Sequence, residues 1–282
     1  MNGLQVGFDI RSAMMISAFL NVLIAIMLLI VRNALPADYR NGLRWWWLGL
    51  ILQPSGFVLI ALRGHAPPIL SVVLANVMIA GSLACFAIAI RMFCGVRQQR
   101  WFAFSMVAVA GIIASYFSVV NDDLLARIVL LSLVHTALLA FAARSIYRQE
   151  LKITLVSHVL AGLFVIGALS MLARCAYHLI SQDPISDIFS IHWPTVLSYG
   201  IGGLLPILGT IGFLLMCTER SQKDLARMAS EDPLTGVYNR RALAEFGVRE
   251  MARARRHGTP LSVILVDIDY FKKINDELGH AA

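Results

Sequence analysis

The chain has 282 residues, 58% of them hydrophobic, and a mean hydropathy of +0.72. Soluble domains are roughly 45–50% apolar, so this composition excludes an ordinary soluble enzyme and indicates a membrane protein. The net charge of +7 comes from 24 Lys and Arg against 17 Asp and Glu. Of these, 13 basic and 7 acidic residues precede Glu219. Most of the excess is therefore loop arginine in the apolar part, which argues against a nucleic-acid face.

A membrane-crossing helix needs about 20 apolar residues, and seven stretches qualify. In order they are Ser12 to Val31, Trp45 to Leu62, Ile69 to Phe93, Trp101 to Val120, Leu125 to Tyr147, Ile153 to Ile180, and Trp193 to Cys217. Residues 1–11 have no basic region or clear cleavage site ahead of the first run, which reads as an uncleaved span. Cys85, Cys94, Cys175 and Cys217 lack C-x-x-C spacing and read as buried or interfacial thiols.

The charges between the spans alternate. One set of loops carries Arg32, Arg40, Arg44, Arg91, Arg97, Arg100, Arg144, Arg148, Lys152, Arg220 and Lys223. The other carries Arg11, Arg63, Arg127 and Arg174 singly, with Asp122, Asp123, Asp183 and Asp187. The positive-inside rule puts the first set in the cytoplasm, so seven spans leave the N-terminus outside and the tail inside.

Within the spans, Trp45-Trp46-Trp47 reads as an interfacial aromatic anchor or a ligand-stacking site, and Pro54-Ser55-Gly56 as a kink made for packing or for a cavity. His135 and His158 are intramembrane ionisable groups, hence candidate sensor residues, with hydrogen-bonded structural histidines as the alternative. Their positions along the fifth and sixth spans put them on the order of 8 Å apart in depth, at about 1.5 Å per residue, which disfavours a shared haem or metal. The outer loop from Ser181 to His192 is too short for a separate sensor domain. Gly200, Gly202, Gly203, Pro206, Gly209 and Gly212 crowd the seventh span. They read as close packing or a hinge, and the proline frees backbone carbonyls.

Residues 218–231 read as a helical signalling linker, with Leu225 and Met228 spaced to pair with a second copy; a solvated connector fits the pattern equally well. Arg240 to His257 follows as a helix with a solvated arginine face. Leu261 to Val266 is apolar and partly β-branched, follows Gly258-Thr259-Pro260, and reads as a buried strand ending in Asp267-Ile268-Asp269. Carboxylates at the end of such a strand suit a hard cation, and Lys272 and Asn275 share a helix face beyond them. Carboxylate, ammonium, amide and imidazole together suit a nucleoside triphosphate.

Two strings carry a resemblance. Asp232-Pro233-Leu234-Thr235-Gly236-Val237-Tyr238-Asn239-Arg240-Arg241 and Asp267-Ile268-Asp269-Tyr270-Phe271-Lys272-Lys273-Ile274-Asn275-Asp276-Glu277-Leu278-Gly279-His280 resemble the first half of the GGDEF family, the diguanylate cyclases. The resemblance implies that Asp267 binds Mg²⁺ by its side chain and Ile268 by its main-chain carbonyl, with two Mg²⁺ per intact site. It further implies that Lys272 neutralises triphosphate charge, that Asn275 reads guanine, and that His280 and Phe271 contact GTP.

The expected fold is an α-helical polytopic membrane bundle of about seven helices, residues 1–217, followed by the linker. After it, residues 232–282 form the N-terminal part of a truncated, nucleotidyl-cyclase-like α/β GGDEF domain. The expected function is a multi-pass diguanylate cyclase of the bacterial inner membrane, with a periplasmic N-terminus and a cytoplasmic GGDEF domain. It would work as a homodimer through that domain and the linker, with GTP and the lipid bilayer as partners and no nucleic acid. The remainder of the family's site would lie beyond Ala282, so the chain by itself is expected to be inactive. Alternatives are a catalytically degenerate GGDEF receptor that binds a nucleotide or a partner, and a transporter with a regulatory tail.

Overall fold

The computed structural model describes residues 9–33, 35–148, 154–181, 189, 192–232, 234–267 and 269–270. The chain divides into two compact units, residues 1–221 and 222–282.

Unit 1 is helical. Its elements are α1 (Ile10–Arg32), α2 (Arg40–Ala61), α3 (Ala75–Phe93) preceded by a π-helical segment Ile69–Leu74, α4 (Arg100–Ser115) followed by a π-helical segment Tyr116–Val120, α5 (Leu124–Tyr147), α6 (Leu155–Ile180) and α7 (Trp193–Ser230). Asp9 starts α1 by accepting hydrogen bonds from the backbone N–H groups of Arg11 and Ser12, and Asp123 caps α5 through Ala126 N. Each predicted span is a helix; most ends shift by a few residues, while α7 runs on past Cys217 to Ser230. Among the described residues six are long and apolar enough to cross a membrane, counting the π-helical segments with α3 and α4; α2 is the exception.

The reason for the exception is visible in α2 itself, which contains Asn41, Arg44, Gln53, Pro54, Ser55 and three glycines. Most of these face protein. Gly42, Gly49 and Gly56 recur every seven residues along the side that meets α3: a Cβ on Gly42 would lie 3.5 Å from the Ala89 carbonyl oxygen, one on Gly49 2.6 Å from Phe86, and one on Gly56 2.9 Å from the Ala75 carbonyl oxygen. The numbers run in opposite directions, so the two helices are antiparallel and α2 follows α3 over most of its length. The same holds against α7, where Trp46 bonds Thr210 and Gln53 bonds Gly202. Small residues let helix backbones approach where apolar burial supplies no driving force.

The core centres on Trp46, which is 0% exposed. Its ring stacks on Phe213 at 4.4 Å and 6° and tilts against Phe86 at 4.7 Å, while Nε1 donates to Thr210 Oγ1 at 2.9 Å. The middle residue of the tryptophan triplet is therefore a packing centre and not an interfacial anchor. Trp45 is half-buried, with the Arg100 guanidinium 5.7 Å from its ring.

Contacts within unit 1 gather the arginine-rich loops at one end. Arg91 donates to Ser145 Oγ and to the carbonyl of Arg97, and Arg220 donates to the carbonyl of Phe93 at 2.8 Å. At the opposite end Arg11 donates to the Arg63 carbonyl at 3.2 Å. Arg127 and Arg174, read from the sequence as loop charges, lie inside α5 and α6. Arg127 is 3% exposed and donates to the Phe117 carbonyl at 2.7 Å, with Asp122 3.4 Å away.

In unit 2, the end of α7 leads through a turn to α8 (Arg240–His257), which Asn239 caps and Gly258 closes at φ +63°. The expected strand over Leu261 to Val266 is not formed. Among the described residues there is no named strand, only isolated bridges such as Glu231 to Tyr238, and the side chains of 261–266 are exposed, Leu265 at 95%. A strand exists through hydrogen bonds to a neighbour, and no described segment supplies that neighbour.

Candidate functional site

The sequence points to two places, one in each unit. In unit 2 the first motif is a turn built by its own polar side chains. Asp232 Oδ1 accepts from Leu234 N at 3.1 Å, Thr235 N at 2.9 Å and Thr235 Oγ1 at 3.0 Å. These bonds, those of Thr235 foremost, hold the Asp232 carboxyl below its ordinary pKa of 3.8, because they favour the ionised form. Gly236 takes φ +70°, which disfavours a side chain there. Asn239 closes the turn: Nδ2 donates to the Ala229 carbonyl at 2.8 Å and Oδ1 accepts from Ala242 N at 3.0 Å. The motif thus reverses the chain between α7 and α8.

The second motif begins at Asp267, which is exposed at the end of residues 261–267, with Asp269 exposed two positions on. Ile268, Phe271, Lys272, Asn275 and His280 lie outside the described residues. Among the described residues no cluster of three or more His, Cys, Asp or Glu is placed to hold a metal.

Unit 1 holds a partly open cavity of about 70 Å³ between α2, α3, α5, α6 and α7. His135 lines it, 7% exposed, and its Nε2 has no hydrogen-bond partner. Arg174 reaches the same cavity from α6, donating from Nε to Ser132 Oγ at 3.2 Å and lying 5.8 Å from the Tyr199 ring. Gln53 enters from α2: Nε2 donates to the Gly202 carbonyl, while the buried Oε1 has no partner. His158 does not join this site. It is exposed near the start of α6, its Nδ1 2.9 Å from the Thr154 carbonyl oxygen and its ring 6.0 Å from Tyr147. Sequence reasoning found His135 but not Gln53, Arg174 or Tyr199. The available signal was a glutamine inside an apolar run, one residue before a proline.

A family model described as "Diguanylate cyclase, GGDEF domain" matches residues 229–282. The C-terminal segment belongs to the GGDEF family. Curated proteins are similar to the chain over stretches of 60 to 78 residues. The chain is 41% identical over 78 residues to the diguanylate cyclase DosC of Escherichia coli strain K12, covering 27% of this chain and 17% of that protein. It is 48% identical over 60 residues to the diguanylate cyclase DgcP of Pseudomonas aeruginosa, covering 21% and 9%. The cyclic di-GMP phosphodiesterase NbdA of P. aeruginosa is 40% identical over 70 residues, covering 25% and 9%. The chain thus spans a fifth or less of the length of these relatives. No solved structure matches the chain significantly.

Proposed function

We propose that the chain is part of a membrane-bound diguanylate cyclase, which condenses two GTP into cyclic di-GMP and two pyrophosphates under control of the helical bundle. The observation that carries this reading is the pair of motifs at Asp232 and Asp267 within a segment that matches the GGDEF family. The α/β fold of that domain belongs to the proposal, with residues 261–266 becoming a strand once neighbours pair with it.

The seven helices are read as spans of the bacterial inner membrane, with the N-terminus periplasmic and the GGDEF domain cytoplasmic. The gathering of arginines at one end and the antiparallel course of α2 along α3 and α7 support that reading. The bundle is the sensor, with His135 in its cavity; exposed His158 is the weaker sensor candidate.

The donor chemistry fits Mg²⁺, because Asp267 and Asp269 are exposed hard-oxygen ligands at one end of the segment. Asp267 would hold the ion with the Ile268 carbonyl, and the ion, when bound, would neutralise triphosphate charge. Lys272 stabilises the charge that develops as each 3′-hydroxyl attacks the partner nucleotide's α-phosphate and pyrophosphate leaves. Asn275 reads the guanine edge, with His280 and Phe271 against the nucleotide. Two protomers must meet for this chemistry, and Leu225 and Met228, 62% and 76% exposed on α7, offer an apolar contact between linkers.

The test is to incubate membranes containing the protein with its complete GGDEF domain with GTP and Mg²⁺. Cyclic di-GMP and pyrophosphate that disappear in Asp267→Ala are the expected result; full activity in that variant overturns the metal assignment. A second reading, a GGDEF domain that binds nucleotide without cyclising it, draws support from the similarity to NbdA, whose name denotes a phosphodiesterase. GTP binding without product would select it.

A further inference from the structure

We propose that the cavity of unit 1 binds a short-chain carboxylate, with its carboxylate on Arg174 and His135 and its hydrocarbon body against Ile79, Leu83 and Leu139. Three of the cavity's polar groups lack what a buried group needs. His135 Nε2 and Gln53 Oε1 are buried without hydrogen-bond partners, and native interiors rarely leave such atoms unsatisfied. The third is the Arg174 guanidinium, which is half-buried on an apolar helix. Its contacts are a hydroxyl, Ser132 Oγ, and the Tyr199 ring; among the described residues no carboxylate lies within ion-pair distance of it. Water in the cavity could satisfy the two neutral atoms. It would leave the half-buried Arg174 cation without a counter-ion among the described residues.

An anion answers that deficit, and the remaining wall selects an anion with an apolar part. Ile79, Leu83, Leu139, Met171 and Leu205 make much of the remaining wall, with Asn76 and Ser198 as further polar lining residues. The cavity is small, about 70 Å³. That suits a ligand of a few heavy atoms. Gln53 and Gly202 are both lining residues, so a ligand here touches α2 and α7 where they are hydrogen-bonded to each other, and α7 is the helix that continues to Ser230. The inference requires only that unit 1 be embedded in lipid and does not depend on GTP chemistry in the GGDEF segment.

The test uses the whole chain in lipid nanodiscs, ¹⁵N-labelled at histidine, with butyrate as probe and butanol and butylammonium as matched controls. Butyrate should give a saturable saturation-transfer signal in the millimolar range and shift the ¹⁵N resonance of one buried imidazole. Arg174→Gln should weaken binding about tenfold or more, the scale of one lost charge-assisted hydrogen bond, whereas Arg174→Lys should stay within about threefold. Three outcomes would overturn the proposal: no saturable butyrate signal, which leaves a cavity holding only water; butanol binding as well as butyrate; or an Arg174→Gln chain that binds butyrate unchanged. The comparison of butyrate with butanol is made on the unaltered chain and so stands whether or not a variant folds. Loss of cyclase activity with intact butyrate binding would refute the cyclase reading alone.

Discussion

Gln53 on α2 donates its side-chain N–H to the carbonyl oxygen of Gly202 on α7. That carbonyl is the one whose helical partner would have been the N–H of residue 206, and residue 206 is proline. The proline removes a donor from α7, and the glutamine returns one from a different helix. Gln53→Leu should therefore destabilise the bundle by roughly 1–2 kcal/mol. In the Pro206→Ala background, where α7 can satisfy Gly202 itself, the same change should cost less. A double-mutant cycle on thermal unfolding in detergent measures the difference, and additive effects would show that the two residues are not coupled.

Trp46 makes a second cross-bundle contact, between Phe86 and Phe213 with Thr210 accepting from its indole. Trp46→Ala should cost about 3–5 kcal/mol through lost packing. Trp46→Phe should cost nearer 1 kcal/mol, the value of the lost hydrogen bond. Gly49→Leu should be as damaging as the alanine change, because even its Cβ would sit 2.6 Å from Phe86. Unfolding in detergent read by tryptophan-independent circular dichroism ranks all three.

The turn at Asp232 should be pH-sensitive in a definite direction. Its carboxyl is held below the ordinary 3.8 by hydrogen bonds from Thr235 and Leu234. A carboxylate with a depressed pKa contributes stability above its unfolded value and loses it as pH falls through the folded value. The turn should therefore be fully formed at neutral pH and loosen only below about pH 3.8. A ¹³C-carboxyl titration should give Asp232 a midpoint below 3.8, and Asp232→Ala should speed amide exchange at Thr235 at neutral pH.

Whether α2 crosses the bilayer decides the topology, and it can be read by labelling. The native cysteines are all buried, so single cysteines introduced at exposed positions report alone. Asp38→Cys and His65→Cys flank α2. With α2 as a span, an impermeant maleimide added to intact cells should label His65→Cys, and should reach Asp38→Cys only after permeabilisation. Labelling of both from the same side would reduce the count to the six helices that hydropathy alone supports.

If the linker pairs two copies, Leu225→Glu with Met228→Glu should lower the dimer fraction in sedimentation without changing the thermal unfolding of the bundle. Both side chains are exposed, so little packing within one chain is lost. An unchanged dimer fraction would remove the linker from the interface.

The sequence alone determined the helical bundle and the nature of the tail. Runs of about 20 apolar residues must satisfy their backbone groups internally in lipid, which leaves helices as the economical solution. The strings at Asp232 and Asp267 carry family-specific order that composition lacks. Periodicity could not determine which polar residues would meet. Gln53, His135 and Arg174 are 39 or more positions apart along the chain, and only the packing of α2, α5 and α6 around one cavity brings them to a common wall. Nor could an apolar run decide between strand and coil at 261–266, because a strand depends on hydrogen bonds from neighbours. The tertiary structure also moved Trp46 from the expected interface into the core and turned Arg174 from a loop charge into a cavity wall. Both follow from contacts between helices distant in sequence, which local spacing does not encode.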